Sequence, residues 1–344
     1  MAEDPMTRVP GVALFDHLRA EYETAWLGSA FVPPHAYADL LTMRSIAIFG
    51  EPGVGLSALQ QMLSAEAESA GRMVIVWVPT LVDDVRGTPA VLTYMRQVLE
   101  CWSIALLRYV ACHPDQFTRA PAWAQEALTW FLQTRLPGSW EYHLSQVATR
   151  STPDGYDLLQ QLRAHTPAPG FDPDSVDGYL IRELAALLPE IGISGAWIVV
   201  DGTQPWVRLN DEALVAMLND IAATLTYFEM PGVAWRFFLP ASFSTLMSQA
   251  AAVVRGRMER YNLQWSPSQL KRIVQERLGA AFDRDDMVLD DLVEGATMLS
   301  YLQQYGGTTP RGWLELLRPF VAAYQVGDPH QPLRSEEHTS ELQS

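Results

Sequence analysis

The chain has 344 residues, 48% hydrophobic and 19% charged, which at roughly 150 residues per domain predicts about two domains with a substantial core. Lys and Arg number 24 against 40 Asp and Glu, a formal charge of −16, so the chain lacks the global electrostatic footprint of a nucleic-acid binder. No apolar run approaches the ~18 residues of a membrane span, and only Cys101 and Cys112 are present, too few for a disulfide framework or a zinc cluster. The polar N-terminus, Met1-Ala-Glu-Asp-Pro-Met-Thr-Arg8, lacks the order of a secretory signal. A soluble, cytoplasmic protein is the expectation.

In chain order, Ser45-Ile-Ala-Ile-Phe-Gly50 predicts a buried strand and Ser57–Ala70 an amphipathic helix. Met73–Val78 predicts a second buried strand, stopped by Pro79. From about Thr88 to Pro189 the pattern is helical, with Pro89–Val110, Pro121–Leu136, Trp140–Thr149, Tyr156–Ala164 and Val176–Leu188 at helical spacing. His165–Asp174, rich in proline, is a loop by composition. Ala196-Trp-Ile-Val-Val-Asp201 predicts a third strand ending in a carboxylate, Glu212–Tyr227 a helix, Trp235–Leu239 a fourth strand and Arg260–Trp265 a fifth. Ser266-Pro-Ser-Gln269 has the capping-box pattern with proline at the first helical position. Asp290–Tyr305 and a helix opened by Thr309-Pro310 follow, the latter with Trp313, Leu316, Leu317, Phe320 and Tyr324 as its core stripe. Strands alternating with helices predict an α/β chain with a parallel sheet.

Gly50-Glu51-Pro52-Gly53-Val54-Gly55-Leu56-Ser57 fits the phosphate-loop pattern G-x-x-x-x-G-K-[ST] at every fixed position except the lysine, which is Leu56. The three glycines let the backbone curl so that successive N–H groups, through Ala58, face a phosphate at a helix N-terminus. Ser57 would ligate Mg²⁺. Lysine and leucine codons differ at two positions at least, so a single miscall does not explain Leu56. Trp197–Asp201 supplies a second element, an apolar strand whose terminal Asp201 is a candidate Mg²⁺ ligand; Gly202-Thr-Gln-Pro205 follows without an acid.

Together with Phe31-Val-Pro-Pro-His-Ala-Tyr37, Phe237-Phe-Leu-Pro-Ala-Ser242 and Gly306-Gly-Thr-Thr-Pro-Arg311, these segments resemble bacterial P-loop ATPases of the STAND and AAA type over roughly residues 30–325. The resemblance implies a P-loop NTPase core at 41–265, a helical insertion at about 88–190 and a C-terminal helical lid at 266–325, after an N-terminal segment 1–40. It implies that Asp201 is the Walker B carboxylate and that Arg311, at the start of a lid helix, reaches the γ-phosphate as the sensor 2 residue. Ser242 is a weaker match to the sensor 1 position. ATP or ADP with Mg²⁺ is the implied cofactor, and Gly50–Ala58 with Arg311 the implied binding set. Arg255, Arg257 and Arg260 read as surface ion pairs or, in the family's manner, as a finger acting across a subunit contact.

Three functions are compatible with the degenerate loop: a regulatory nucleotide switch impaired in hydrolysis, an active ATPase using Arg311 in place of the lysine, and a pseudo-NTPase scaffold for protein contacts without nucleotide. The implied partners are nucleotide and a protein partner or effector, with a homo-oligomer left open and no membrane or nucleic acid indicated. No histidine or cysteine spacing supports metal or nucleophilic catalysis. Residues 334–344, Arg-Ser-Glu-Glu-His-Thr-Ser-Glu-Leu-Gln-Ser, resemble a translated sequencing-library adapter, with 326–333 as a linker; the natural chain is expected to continue past Leu333. Without that tail 23 basic and 37 acidic residues remain, a charge of −14.

Overall fold

The computed structural model describes residues 13–16, 26–80, 90–168, 170–171, 177–203, 211–284, 287–293 and 297–326. Two compact units result, one from Leu41–Phe49 and Ser64–Tyr261, the other from the described residues within Met1–Leu40, Gly50–Leu63 and Asn262–Ser344. The adapter-like segment 334–344 and the linker 327–333 lie outside the described residues.

The first unit is built on a five-stranded parallel sheet in the order β2-β3-β4-β1-β5. The strands are β1 (Ser45–Gly50), β2 (Arg72–Trp77), β3 (Gly195–Asp201), β4 (Val233–Pro240) and β5 (Met258–Asn262). Met73 pairs with Ala196 and Trp77 with Val200, and Val200 pairs in turn with Phe237. Every residue of β1, β3 and β4 is buried, which is why their sequences are continuous apolar runs: a parallel sheet is covered on both faces. β5 is an edge strand with Glu259 and Arg260 exposed, charges that discourage pairing with a further chain. It begins two residues earlier than the sequence suggests, and Trp265 lies beyond it.

Between β2 and β3 runs the expected helical insertion: Ala90–Cys112, Pro114–Arg119, Ala122–Arg135, Trp140–Val147, Pro153–Ala164 and Asp177–Leu187. Val98, Leu99, Trp102 and Leu106 of the long first helix are fully buried in the core that the insertion shares with the sheet. That helix stops where Pro114 follows, because the residue before proline is pushed out of the helical region and His113 has φ −130 and ψ 54. Ser139 and Thr152 cap the later helices, accepting from the N–H groups of Tyr142 at 3.2 Å and Gly155 at 3.0 Å. Gly155 is required there, since a Cβ would sit 1.9 Å from the carbonyl oxygen of Ala111. The predicted Glu212–Tyr227 helix is Asp211–Ala223 followed by a 3₁₀ turn at Leu225–Phe228.

A buried cation holds the entry to β1. Arg236, in the middle of β4, is wholly inaccessible and donates to the carbonyl oxygens of Thr42 and Arg44, and to that of Trp235 at 3.1 Å. Its guanidinium lies 4.1 Å from the ring centroid of Trp197, and that of Arg72 lies 5.3 Å from the same ring. Burial first, then the charge of Arg72, pushes the Arg236 guanidinium down to about 9, which leaves it charged at neutral pH. Arg72 in turn donates to the Leu41 carbonyl at 2.8 Å, so two arginines fix the 41–44 segment.

In the second unit the Pro267–Phe282 helix starts with the expected capping box: Ser266 Oγ accepts from the N–H of Gln269 at 3.3 Å, and Gln269 Oε1 accepts from the N–H of Ser266 at 3.0 Å. The helix predicted over Asp290–Tyr305 consists of Leu289–Leu292 and Thr297–Tyr305, with 294–296 outside the described residues. Pro310–Val326 follows, and its Trp313, Leu317, Val321 and Tyr324 are buried with Leu270, Val274 and Leu302 in a core separate from that of the first unit. Among the described residues no helix is long and apolar enough to cross a membrane.

Candidate functional site

The segment between β1 and the Leu56–Ser69 helix is a tight glycine loop rather than a continuous helix, as the phosphate-loop pattern requires. Gly53 (φ +85) and Gly55 (φ +96) occupy the region that L side chains rarely adopt. The N–H of Val54 closes a turn onto the Glu51 carbonyl at 3.1 Å, leaving Glu51 and Pro52 exposed at the tip. Gly50 serves differently from the expectation. Its φ is not positive, and it is needed because a Cβ there would lie 2.4 Å from Val54 Cγ1 and 3.0 Å from Leu56 Cγ.

Leu56 does not extend outward. It is buried, at 8% exposure, and folds back over Gly50 beside Val54. The first turn of the helix, Leu56 to Leu59, carries backbone N–H groups whose intrahelical acceptors are missing or supplied by the loop, as with Leu59 N–H to the Gly55 carbonyl at 2.9 Å. Open space surrounds the Cα of Gly55, where a Cβ would meet nothing within 4 Å. The backbone therefore suits an anion at a helix N-terminus, while the side chain at the lysine position contributes no charge.

Arg311, 258 positions after Gly53 in the numbering, is brought onto the loop. Its backbone N–H donates to the Gly53 carbonyl at 3.3 Å, and a Cβ on Gly53 would lie 3.0 Å from Arg311 Cβ and 3.4 Å from its Cδ. The arginine is the first turn of the Pro310–Val326 helix, whose start is fixed by Thr309 Oγ1 accepting from the N–H of Gly312 at 3.3 Å. A residue that the sequence did not single out completes the arrangement: Trp265 Nε1–H donates to the Val54 carbonyl at 2.7 Å. Consecutive loop carbonyls, at Gly53 and Val54, are thus taken by the Arg311 N–H and the Trp265 indole. The indole lies 211 positions from its acceptor, so no local pattern in the sequence marks it.

Asp201 ends β3 as expected and is buried at 4% exposure. Its Oδ1 accepts from Thr203 N–H at 3.0 Å and from Thr203 Oγ1 at 2.7 Å, an Asx-type turn in the stretch where an acid was missing. The sequence reading puts the Asp201 strand beside the Ile46–Phe49 strand; in the structure β4 lies between β3 and β1. Ser242 is exposed in the 3₁₀ turn Ala241–Phe243 directly after β4. Arg257 pairs with Glu229 at 2.7 Å and Arg260 donates to Ser244 Oγ at 2.9 Å. Cys101 is a packing residue whose thiol burial pushes up to about 11. No group of three or more His, Cys, Asp or Glu that could hold a metal ion occurs among the described residues.

No family model and no curated protein sequence matches the chain. Among solved structures, the Orc1 protein of Aeropyrum pernix in complex with DNA is similar over 92% of this chain and 68% of that one, at 13% identity and a TM-score of 0.39.

Proposed function

We propose that the chain is a nucleotide-binding regulatory switch module of the STAND and AAA ATPase type, impaired in ATP hydrolysis, acting in a bacterial cytoplasm through a protein partner or effector. The observation that carries this reading is Arg311 lying on Gly53 of a loop whose own cation is absent. The backbone N–H groups of Gly55, Leu56, Ser57 and Ala58 would hold the β-phosphate, with Arg311 as the remaining cation for the γ-phosphate. The Ser57 hydroxyl would serve Mg²⁺, which supplies charge neutralisation of the phosphates when bound. The charge of −16 argues against nucleic acid as a partner.

Loss of a phosphate-binding lysine and of an acid after Asp201 act on the same transition state, so turnover should be low. A coupled phosphate-release assay is expected to read well below the ~1 s⁻¹ of an ordinary ATPase, and Asp201→Ala should leave that residual rate unchanged. Turnover near 1 s⁻¹ or above that Asp201→Ala abolishes would instead make the chain an active ATPase with Arg311 in the lysine's role. A second reading, a pseudo-NTPase scaffold without nucleotide, is favoured by one feature: Val54 and Leu56 pack their aliphatic carbons over Gly50 inside the loop.

A further inference from the structure

The helical insertion carries an open groove of about 530 Å³, lined by residues of the Ala122–Arg135 and Asp177–Leu187 helices and by Ala168, Gly170 and Phe171. Its floor is apolar, formed by Ala127, Phe171 and Leu187, all buried. Trp123 forms one wall and is 59% exposed, unusual for a side chain of that size. Two carboxylates stand at the rim, Glu126 and Glu183.

The carboxylates differ. Glu126 is fixed, its Oε1 held by His165 Nε2 at 2.8 Å and its Oε2 accepting from Ala168 N–H at 3.2 Å. These bonds fasten His165 and Ala168 to the helix, and Gly170 permits a close approach, since a Cβ there would lie 2.4 Å from Ala127 Cα. The groove wall is therefore preformed. Glu183 is exposed and has no ion pair among the described residues. Tyr179, 64% exposed, lies one turn before Glu183 on the same helix face.

An apolar floor, an exposed indole and an unpaired carboxylate match a cation carried on an aliphatic stem. We propose that this groove binds a basic segment of a partner protein through one arginine side chain. The stem lies along Ala127 and Leu187, the guanidinium meets Glu183 and the face of Trp123, and an apolar neighbour in the same segment covers Phe171. Charge complementarity selects this occupant, because the whole chain is strongly acidic and draws cationic segments toward it. The extension of the face to Tyr179 suits a peptide, which follows the groove, over an isolated small cation.

Fluorescence polarisation on the full chain tests this with a fluorescein-labelled hexapeptide bearing one arginine between two leucines, its citrulline isostere, and N-acetyl-arginine amide as competitor. The arginine peptide is expected to bind, and citrulline to weaken it about tenfold. Glu183→Gln and Trp123→Ala should each cost about fivefold, with unchanged far-ultraviolet circular dichroism because both side chains are at the surface. Tyr142→Ala, which removes an exposed aromatic that does not line the groove, should change nothing. Absence of binding, equal binding of the citrulline peptide, indifference to both groove variants, or competition by the amide at the peptide's own concentration would each overturn the proposal.

Discussion

Replacing Arg311 by alanine is expected to weaken Mg·ATP binding by about 30-fold to several-thousandfold, the 2–5 kcal/mol typical of losing one partner of a desolvated charge pair. The argument is one of substitution. Leu56 contributes no charge where the loop lysine would reach the phosphates, so Arg311 is the cation placed at the loop, its stem against Gly53. The backbone bond from Arg311 N–H to the Gly53 carbonyl survives the change, which isolates the side chain's contribution. Arg311→Lys should restore part of the affinity, since lysine keeps the charge but not the planar fork. A loss below about threefold in calorimetry would mean that the arginine does not touch the nucleotide.

Arg236→Ala should lower unfolding free energy by about 3–5 kcal/mol, a large fraction of an ordinary domain's stability. Two effects combine: a cavity in a fully buried stretch of β4, and loss of the donors that serve the carbonyls of Thr42, Arg44 and Trp235. Arg236→Met keeps most of the volume and relieves the cost of burying a charge, so it should destabilise by only about 1–2 kcal/mol. Urea midpoints of the two variants separate packing from hydrogen bonding. Equal midpoints for both variants and the native chain would contradict the account of how the 41–44 segment is held.

The difference between what the sequence discloses and what it hides follows from where each signal is local. β1, β3 and β4 were legible because burial on both faces demands unbroken apolar runs such as Trp197-Ile-Val-Val. β5 was misplaced because an edge strand with one buried residue in five has almost no hydrophobic pattern, and Trp265 nearby attracted the assignment. Strand order is likewise unreadable from such runs, which say that a strand is central but not which neighbour it has; hence β4 between β1 and β3. The glycine loop was legible because Gly53 and Gly55 sit at positive φ and no other residue serves equally well. Arg236 and Trp265 were not, since both act on backbone carbonyls, which carry no side-chain signature, across separations of 192 and 211 positions. Arg311 was found only through a family resemblance in Gly306–Arg311, and the structure then put it on Gly53.

The central claim is that the loop's backbone cradles nucleotide phosphates although its lysine is gone. Isothermal titration of Mg·ATP and of ADP into the native chain and into Leu56→Lys tests it most directly. The account predicts weak binding by the native chain and binding about tenfold or more tighter, at least 1.4 kcal/mol, once a cation replaces the leucine folded over Gly50. No heat of binding with either nucleotide in either protein would contradict it, and would leave the glycine loop as a packing element of a scaffold.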